Sequence, residues 1–171
     1  MPNIIFQRTS VRKYTSETVS PEQIETLLKA GMAAPSARNI QPWEFVVIQD
    51  RDSLNKISEF GSFAHMLKEA PLAIVVCADT DKEMPAQAGK HYWVQDCSAA
   101  TQNIMLQATE MGLGSVWIGT YPKEEMYKPL AQLLELPENI IAVTTISIGH
   151  PTEEATPKNK FDKSKIHFDK W

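Results

Sequence analysis

The stretch MGLGSVWIG, residues 111–119, decides the fold class because it joins the end of a predicted helix to a buried strand. Gly112 is typical of a residue that ends a helix, and residues 115–118 form a short apolar run. The glycines lack the G-x-G-x-x-G spacing, and the helix precedes the strand, whereas the dinucleotide-binding motif requires the reverse order. The stretch therefore argues against a nicotinamide-binding Rossmann domain.

Predicted helices lie before and after this stretch. Ser20, Pro21 and Gln23 form a capping box with proline in the first helical position, which predicts a helix that begins at Pro21. An apolar stripe at helical spacing predicts a long helix from about His91 to Met111. Two shorter helices are predicted, one capped by Asp50 and ending at Ser58, the other over Lys123–Leu134 and broken near Pro129.

Four apolar runs predict strands between these helices. They are Trp43–Ile48, Leu72–Ala78, Ser115–Ile118 and Asn139–Ile148. The order is mixed, because strands and helices interleave, and it predicts a single mixed sheet with helices on both faces. No linker is long enough to divide the chain, so we expect one domain over residues 1–171.

Composition excludes several classes of protein. The formal net charge is −4, which gives no electrostatic reason to expect nucleic acid as a partner. The two cysteines, Cys77 and Cys97, are too few to staple a chain of 171 residues, so a reducing compartment is the simpler expectation. The N-terminal residues lack the order of a signal peptide, and no apolar run is long enough to cross a bilayer. We expect a cytoplasmic protein that has no membrane partner.

The segment Arg8-Thr9-Ser10-Val11-Arg12 is a candidate phosphate site. In an extended chain residues 8, 10 and 12 point to one side. Two guanidinium groups and a hydroxyl on one side would bind phosphate well. The alternative is a solvated basic stretch near the terminus.

The segment APSARNIQPW, residues 34–43, is predicted to be a stiff loop between a helix and a strand. Its small residues, amides and hydroxyl could approach a planar ligand and donate hydrogen bonds to its edge. The alternative is a connection that is merely rich in turn-forming residues. Gly119, which leaves the third predicted strand, has no side chain and would allow a flat ring to lie against the backbone.

No catalytic side chain and no metal site is predicted. The four histidines are scattered, and neither an H-E-x-x-H motif nor paired Cys/His spacing is present. A G-x-S-x-G elbow and a P-loop are also missing from the sequence. Asp96 and Glu110 lie on the long helix, where a structural or surface role is the simpler interpretation.

Taken together, the three segments in this order, with the closing residues IHFDKW at 166–171, resemble the short form of the FMN-dependent nitroreductase family. The resemblance covers nearly the whole chain. It implies an α+β sandwich whose C-terminal segment, from about residue 152 to 171, is exchanged across a homodimer. It also implies two FMN sites, each built from both chains.

The resemblance assigns cofactor-binding roles to particular residues. It implies that Arg8, Thr9 and Ser10 lie at the FMN phosphate and that Arg12 lies near the ribityl chain or the N1/O2 edge of the ring. Lys160 would complete the phosphate site, where the family often has arginine. The remaining contacts would come from the other subunit at Pro35, Ser36 and Asn39, and from the backbone at Trp117, Ile118 and Gly119.

The implied activity is electron transfer from NADH or NADPH through the flavin to a small organic acceptor, such as a nitroaromatic or a quinone, with ping-pong kinetics. Phe60–Met66 and Thr80–Tyr92 are expected to select the acceptor, and they carry no recognisable signature. Three alternatives stay open at this point. They are a flavin storage or sensor protein without turnover, a deiodinase-like reductive dehalogenase on the same fold, and a dimeric interaction protein whose loops only mimic the motifs.

Overall fold

The computed structural model describes residues 3–82 and 91–171. Its helices are α1 (Ile4–Gln7), α2 (Pro21–Met32), α3 (Arg51–Ser58), α4 (Tyr92–Glu110) and α5 (Glu124–Leu133). Its strands are β1 (Trp43–Ile48), β2 (Leu72–Asp79), β3 (Gly114–Gly119) and β4 (Ile140–Gly149). Among the residues described, no helix has the length and apolar character needed to cross a membrane.

The four strands form one sheet in the order β1-β2-β4-β3, and each neighbouring pair is antiparallel. Phe45, Val76, Thr144 and Gly119 face one another in a single row across this sheet. Strands β1 and β3 are therefore its two edges. The predicted α+β class is confirmed, although the named strands pair antiparallel throughout. An isolated parallel bridge joins Ser10 to Ser115 of β3, so Ser10 lies beside this edge strand.

Both faces of β2 are buried, which explains its continuous apolar sequence. Alternate residues of the strand belong to two separate hydrophobic clusters. The cluster on one face contains the buried side chains of α2 and α4, whereas the cluster on the other face contains those of α3 and α5. The predicted arrangement of a sheet between helices is therefore confirmed.

Local side-chain hydrogen bonds fix the starts of α2 and α3. The Ser20 hydroxyl accepts from the Gln23 backbone N–H at 3.2 Å, and the Gln23 side chain accepts from the Ser20 N–H at 2.9 Å. Asp50 accepts from the Ser53 N–H at 2.8 Å at the start of α3. Each cap contributes about 1 kcal/mol, and both helix starts were predicted correctly.

The predicted break near Pro129 is wrong, because α5 continues through this residue. A proline in a helix interior removes one backbone hydrogen bond and destabilises the helix by roughly 3 kcal/mol. The apolar face of α5 offsets this loss, since Leu130 is fully buried and Met126 and Tyr127 pack against the same cluster. Burial against the sheet therefore outweighs the local effect of the proline.

The C-terminal segment, residues 152–171, is exposed along almost its whole length. Its large apolar side chains are not covered by their own chain: Phe168 is 84% exposed and Trp171 is 100% exposed. Surface of this kind is typical of an interface with another chain. Exchange of the segment across a homodimer stays a prediction.

Candidate functional site

The segment that carries Arg8, Ser10 and Arg12 runs along the outer edge of β3. Ser10 forms a parallel bridge with Ser115, and the Val11 N–H donates to the Ser115 carbonyl at 3.0 Å. The backbone therefore continues the sheet beyond its last strand. An extended chain here places residues 8, 10 and 12 on one side, as the alternating pattern predicts.

Tyr14 fastens this segment to the sheet. Its buried hydroxyl donates to the Val11 carbonyl at 2.7 Å and lies 3.3 Å from the Ser147 carbonyl of β4. Burial raises the pKa of Tyr14 to about 12, so the hydroxyl stays protonated and able to donate at neutral pH. Sequence reasoning missed this residue because a single tyrosine after the basic segment carries no motif.

A cavity of about 730 Å³, which we call the phosphate cavity, opens beside this segment. Arg8, Thr9, Ser10 and Arg12 line it together with Lys160 of the C-terminal segment. Lys158, which sequence reasoning missed, lies on the same wall, and the residues described there include no Asp or Glu. Positive charge without a paired carboxylate suits a phosphate group.

A second cavity of about 260 Å³, the ring cavity, lies next to the end of β3. Arg12 is on its wall with Trp117, Ile118 and Gly119, so the structure brings the first and third sequence motifs together at Arg12. Ile118 as a whole residue is only 3% exposed and its side chain belongs to the core, whereas Trp117 is 38% exposed. A Cβ added to Gly119 would meet no atom within 4 Å, so the space above this backbone is open.

The two cavities match the two ends of FMN. A cationic cavity whose described wall carries no carboxylate fits the phosphate, and the open space at Gly119 fits a planar ring. Arg12 is shared by both walls and therefore lies between the two ends. The residues present thus fit the cofactor that the sequence resemblance implies.

The second motif lies at the opposite edge of the sheet. Its loop leads directly into β1, and β2 and β4 separate β1 from β3. Three inter-strand spacings amount to about 14 Å. Pro35, Ser36 and Asn39 line neither the phosphate cavity nor the ring cavity. One chain therefore assembles the first and third motifs and leaves the second motif apart from them.

The loop of the second motif has a strained backbone. Arg38, Asn39 and Gln41 all have positive φ, at 50°, 56° and 53°. Left-handed conformations of residues other than glycine cost roughly 1 kcal/mol or more each, and they cluster at functional sites. The strain is a reason to regard this loop as part of a binding site.

Two side chains hold the loop in place. The Asp96 carboxylate of α4 accepts from the Ala37 N–H at 3.0 Å, and the Ser36 hydroxyl accepts from the Gln41 N–H at 3.0 Å. Asp96 is buried, so its contribution is structural, in agreement with the sequence interpretation. Within the loop, the Asn39 side-chain oxygen accepts from the side-chain amide of Gln41 at 2.9 Å.

Of the two segments expected to select an acceptor, the structure describes the first in full and the second only in part. Phe63, His65 and Met66 of the first segment line the ring cavity. The second segment, Thr80–Tyr92, lies mostly outside the described residues, because residues 83–90 are not described. Trp93, which follows it, is buried in the core.

Side-chain nucleophiles and metal clusters do not contribute to the described site. Cys77 and Cys97 are both buried, and burial raises the pKa of each thiol to about 12, so neither provides a thiolate at neutral pH. In residues 3–82 and 91–171 no group of three His, Cys, Asp or Glu side chains is arranged to bind a metal ion.

Substitution of Gly114 tests whether β3 positions the basic segment. A Cβ at this residue would lie 2.6 Å from Val11 Cγ1 and 2.8 Å from Val11 Cβ, so Gly114→Ala must displace the chain between Ser10 and Arg12. We expect the variant to lower Tm by about 2–8 °C and to weaken FMN binding, measured by fluorescence titration. Gly112→Ala is the matched control, because Gly112 has φ of 73° but open space around its Cβ position. It should lower Tm without changing FMN affinity; equal FMN affinity in both variants would contradict the prediction.

Comparison with known proteins identifies the family. The family model described as the Nitroreductase family matches residues 5–62 and 58–150. A protein of Archaeoglobus fulgidus with the provisional name NADH dehydrogenase/NAD(P)H nitroreductase is 47% identical over an alignment of 173 positions, which covers 98% of this chain and 97% of the relative.

Solved structures agree with this result. A Parabacteroides distasonis protein with the same provisional name superposes with a TM-score of 0.92 at 44% identity, over 98% of this chain and 96% of the other. An FMN-dependent nitroreductase from Clostridium difficile R20291 superposes with a TM-score of 0.89 at 34% identity, over 100% of both chains. The family model and these likenesses cover the basic segment, the strained loop and β3 alike. The chain belongs to the nitroreductase family.

Proposed function

We propose that this chain acts as a homodimer that transfers electrons from NADH or NADPH through FMN to a small organic acceptor, such as a quinone or a nitroaromatic compound. As a member of its family, the chain is an FMN-using oxidoreductase dependent on NAD(P)H. One observation carries the proposal: Arg12 lies on the walls of both the phosphate cavity and the ring cavity. Donor and acceptor use the same open face in turn, which gives ping-pong kinetics.

FMN, when bound, supplies the redox chemistry by taking a hydride from the nicotinamide and passing two electrons to the acceptor. With a quinone the balanced overall reaction is NAD(P)H + H⁺ + quinone → NAD(P)⁺ + hydroquinone. The protein's task is to bind, orient and neutralise charge. Arg12 would do the last of these, because a guanidinium beside the N1/O2 edge would neutralise the negative charge that develops there on reduction.

The other proposed contacts with FMN are divided between its phosphate and its ring. Arg8, Ser10 and Lys160 hold the phosphate, and in the described residues neither Arg8 nor Lys160 is engaged in an ion pair that would compete. The backbone at residues 117–119 supports the ring through its amide groups. An uncovered backbone here favours an enzyme over a storage protein, because a storage protein gains nothing from an accessible ring.

The second subunit completes each site. In one chain the loop of Pro35, Ser36 and Asn39 leads into β1, which lies about 14 Å across the sheet from β3, so a second copy is the simplest source of these contacts. The same assembly would cover the exposed apolar residues of the C-terminal segment. Such an interface is isologous, and it produces two equivalent sites for each dimer.

Anaerobic reduction of the purified protein tests the proposed activity. We expect visible absorption bands of bound flavin that bleach when NADH or NADPH is added and return when a quinone follows. Bands that persist with both donors would contradict turnover and favour the storage or sensor alternative. A protein that contains no flavin and takes up none would contradict the cofactor assignment itself.

A further inference from the structure

The wall of the ring cavity extends beyond the residues expected to contact the flavin. The cavity is also lined by Phe63, His65 and Met66, which lie before and within the turn at residues 65–68, and by Tyr121, Lys123 and Met126 around the start of α5. We propose that this part of the cavity binds an anionic aromatic acceptor, that is, one substituted ring carrying a carboxylate. The inference rests on the proposed function, because it concerns the acceptor of the same site.

The charge on the wall favours an anion. Among the described residues, the ionisable side chains on this wall other than Tyr121 are Arg12, His65 and Lys123, and none is Asp or Glu, although the chain carries a net charge of −4. The Lys123 ammonium lies 5.5 Å from the centre of the Phe63 ring, and it forms no ion pair within the described residues. A cation beside an apolar surface and without a paired carboxylate is well placed to bind an incoming carboxylate.

The apolar part of the wall favours an aromatic ring. Phe63, Tyr121 and Met126 contribute two rings and a thioether, both of which pack well on aromatic groups. Tyr121 is held in place by an edge-to-face contact with the buried Trp93, with ring centres 4.9 Å apart.

The flavin ring would occupy the part of the cavity beside Arg12 and residues 117–119. The acceptor would then lie beside Phe63, Tyr121, Lys123 and Met126, which line the same cavity.

A matched pair of acceptors tests the inference. The compounds 4-nitrobenzoate and 4-nitrobenzamide have the same nitro group and nearly the same shape, but only the first carries a negative charge. With the holoenzyme and NADH we expect kcat/KM about 10- to 100-fold higher for the carboxylate, as for a charge-assisted hydrogen bond. Benzoate, which is not reduced, should perturb the flavin spectrum at lower concentration than benzamide.

The residue assignment is tested by Lys123→Met. We expect this variant to lose most of the preference for the carboxylate in both measurements while it keeps bleaching by NADH. Lys128→Met is the control, because Lys128 lies on the same helix, forms an ion pair with Glu124 and is not part of the cavity wall. It should keep the preference of the unmodified protein.

Three outcomes would overturn the inference. They are equal kcat/KM and equal spectral titration for the charged and neutral compounds, an unchanged preference in Lys123→Met, and a selective loss of NADPH use in Lys123→Met with the acceptor preference intact. The last would assign Lys123 to the donor phosphate. Failure of the proposed function is distinguishable from all three, because it appears first as absent FMN or absent bleaching in the unmodified protein.

Discussion

Two inactive variants, mixed as unfolded chains and refolded together, should recover about one quarter of the activity of the unmodified protein. The first variant, Arg8→Ala/Arg12→Ala, removes Arg8 from the phosphate cavity and Arg12 from the wall of both cavities. The second, Asn39→Asp, replaces the amide in the strained loop. Random pairing makes half of the dimers mixed, and each mixed dimer contains one intact site, so about a quarter of all sites are restored. The measurement is NADH-dependent quinone reduction before and after mixing.

A second mixture provides the control. When Arg8→Ala/Arg12→Ala is paired with Ser10→Glu, both defects lie in the phosphate cavity, so every site of a mixed dimer stays defective. No recovery is expected there. If the first mixture also fails to recover while mass spectrometry shows that mixed dimers are present, a site built from two chains is contradicted.

Arg12→Ala alone should leave FMN bound and slow its reduction by NADH about 100- to 1,000-fold, the usual loss when one electrostatic stabiliser is removed from a reacting centre. The phosphate cavity keeps Arg8 and two lysines, and these groups retain the cofactor. Reduction of the flavin ring is slower because the cation that neutralises the developing negative charge has been removed. Stopped-flow bleaching without oxygen measures the rate, and a titration with FMN measures the affinity.

Two further variants distinguish charge from a general loss of structure. Lys13→Ala removes the neighbouring cation, which is exposed and whose nearest carboxylate, on Glu153, lies 4.0 Å away. We expect it to reduce at the normal rate. Arg12→Lys keeps the charge and should recover part of the rate. A normal rate of reduction in Arg12→Ala would remove Arg12 from the proposed mechanism.

Much of the fold could be predicted because its signals are local. The capping box at Ser20, the cap at Asp50 and the apolar run of β2 each depend on neighbours in sequence, and each element begins where predicted or within one residue of it. Prediction from local signals fails at Pro129. The sequence around it predicts a broken helix, whereas packing of α5 on a distant sheet keeps the helix continuous.

The candidate site was only partly predictable, for the same reason. Arg8, Ser10 and Arg12 follow from a period-two pattern, and the structure places them together beside one cavity. Tyr14 and Lys123 carry no pattern, because their positions depend on contacts with residues far away in the chain. The positive φ values at residues 38, 39 and 41 were not predicted either, since none of these residues is a glycine.

The separation of the two halves of the site, at opposite edges of one sheet, has a thermodynamic consequence under the proposed assembly. Cofactor affinity and subunit association become a single linked equilibrium, because a site exists only where two chains meet. Free FMN at a hundred times its Kd would stabilise the dimer by about 2.7 kcal/mol for each site. Dilution of the protein, in turn, would release the flavin. The cellular supply of FMN would then set how much of the chain is assembled as well as how much of it is active.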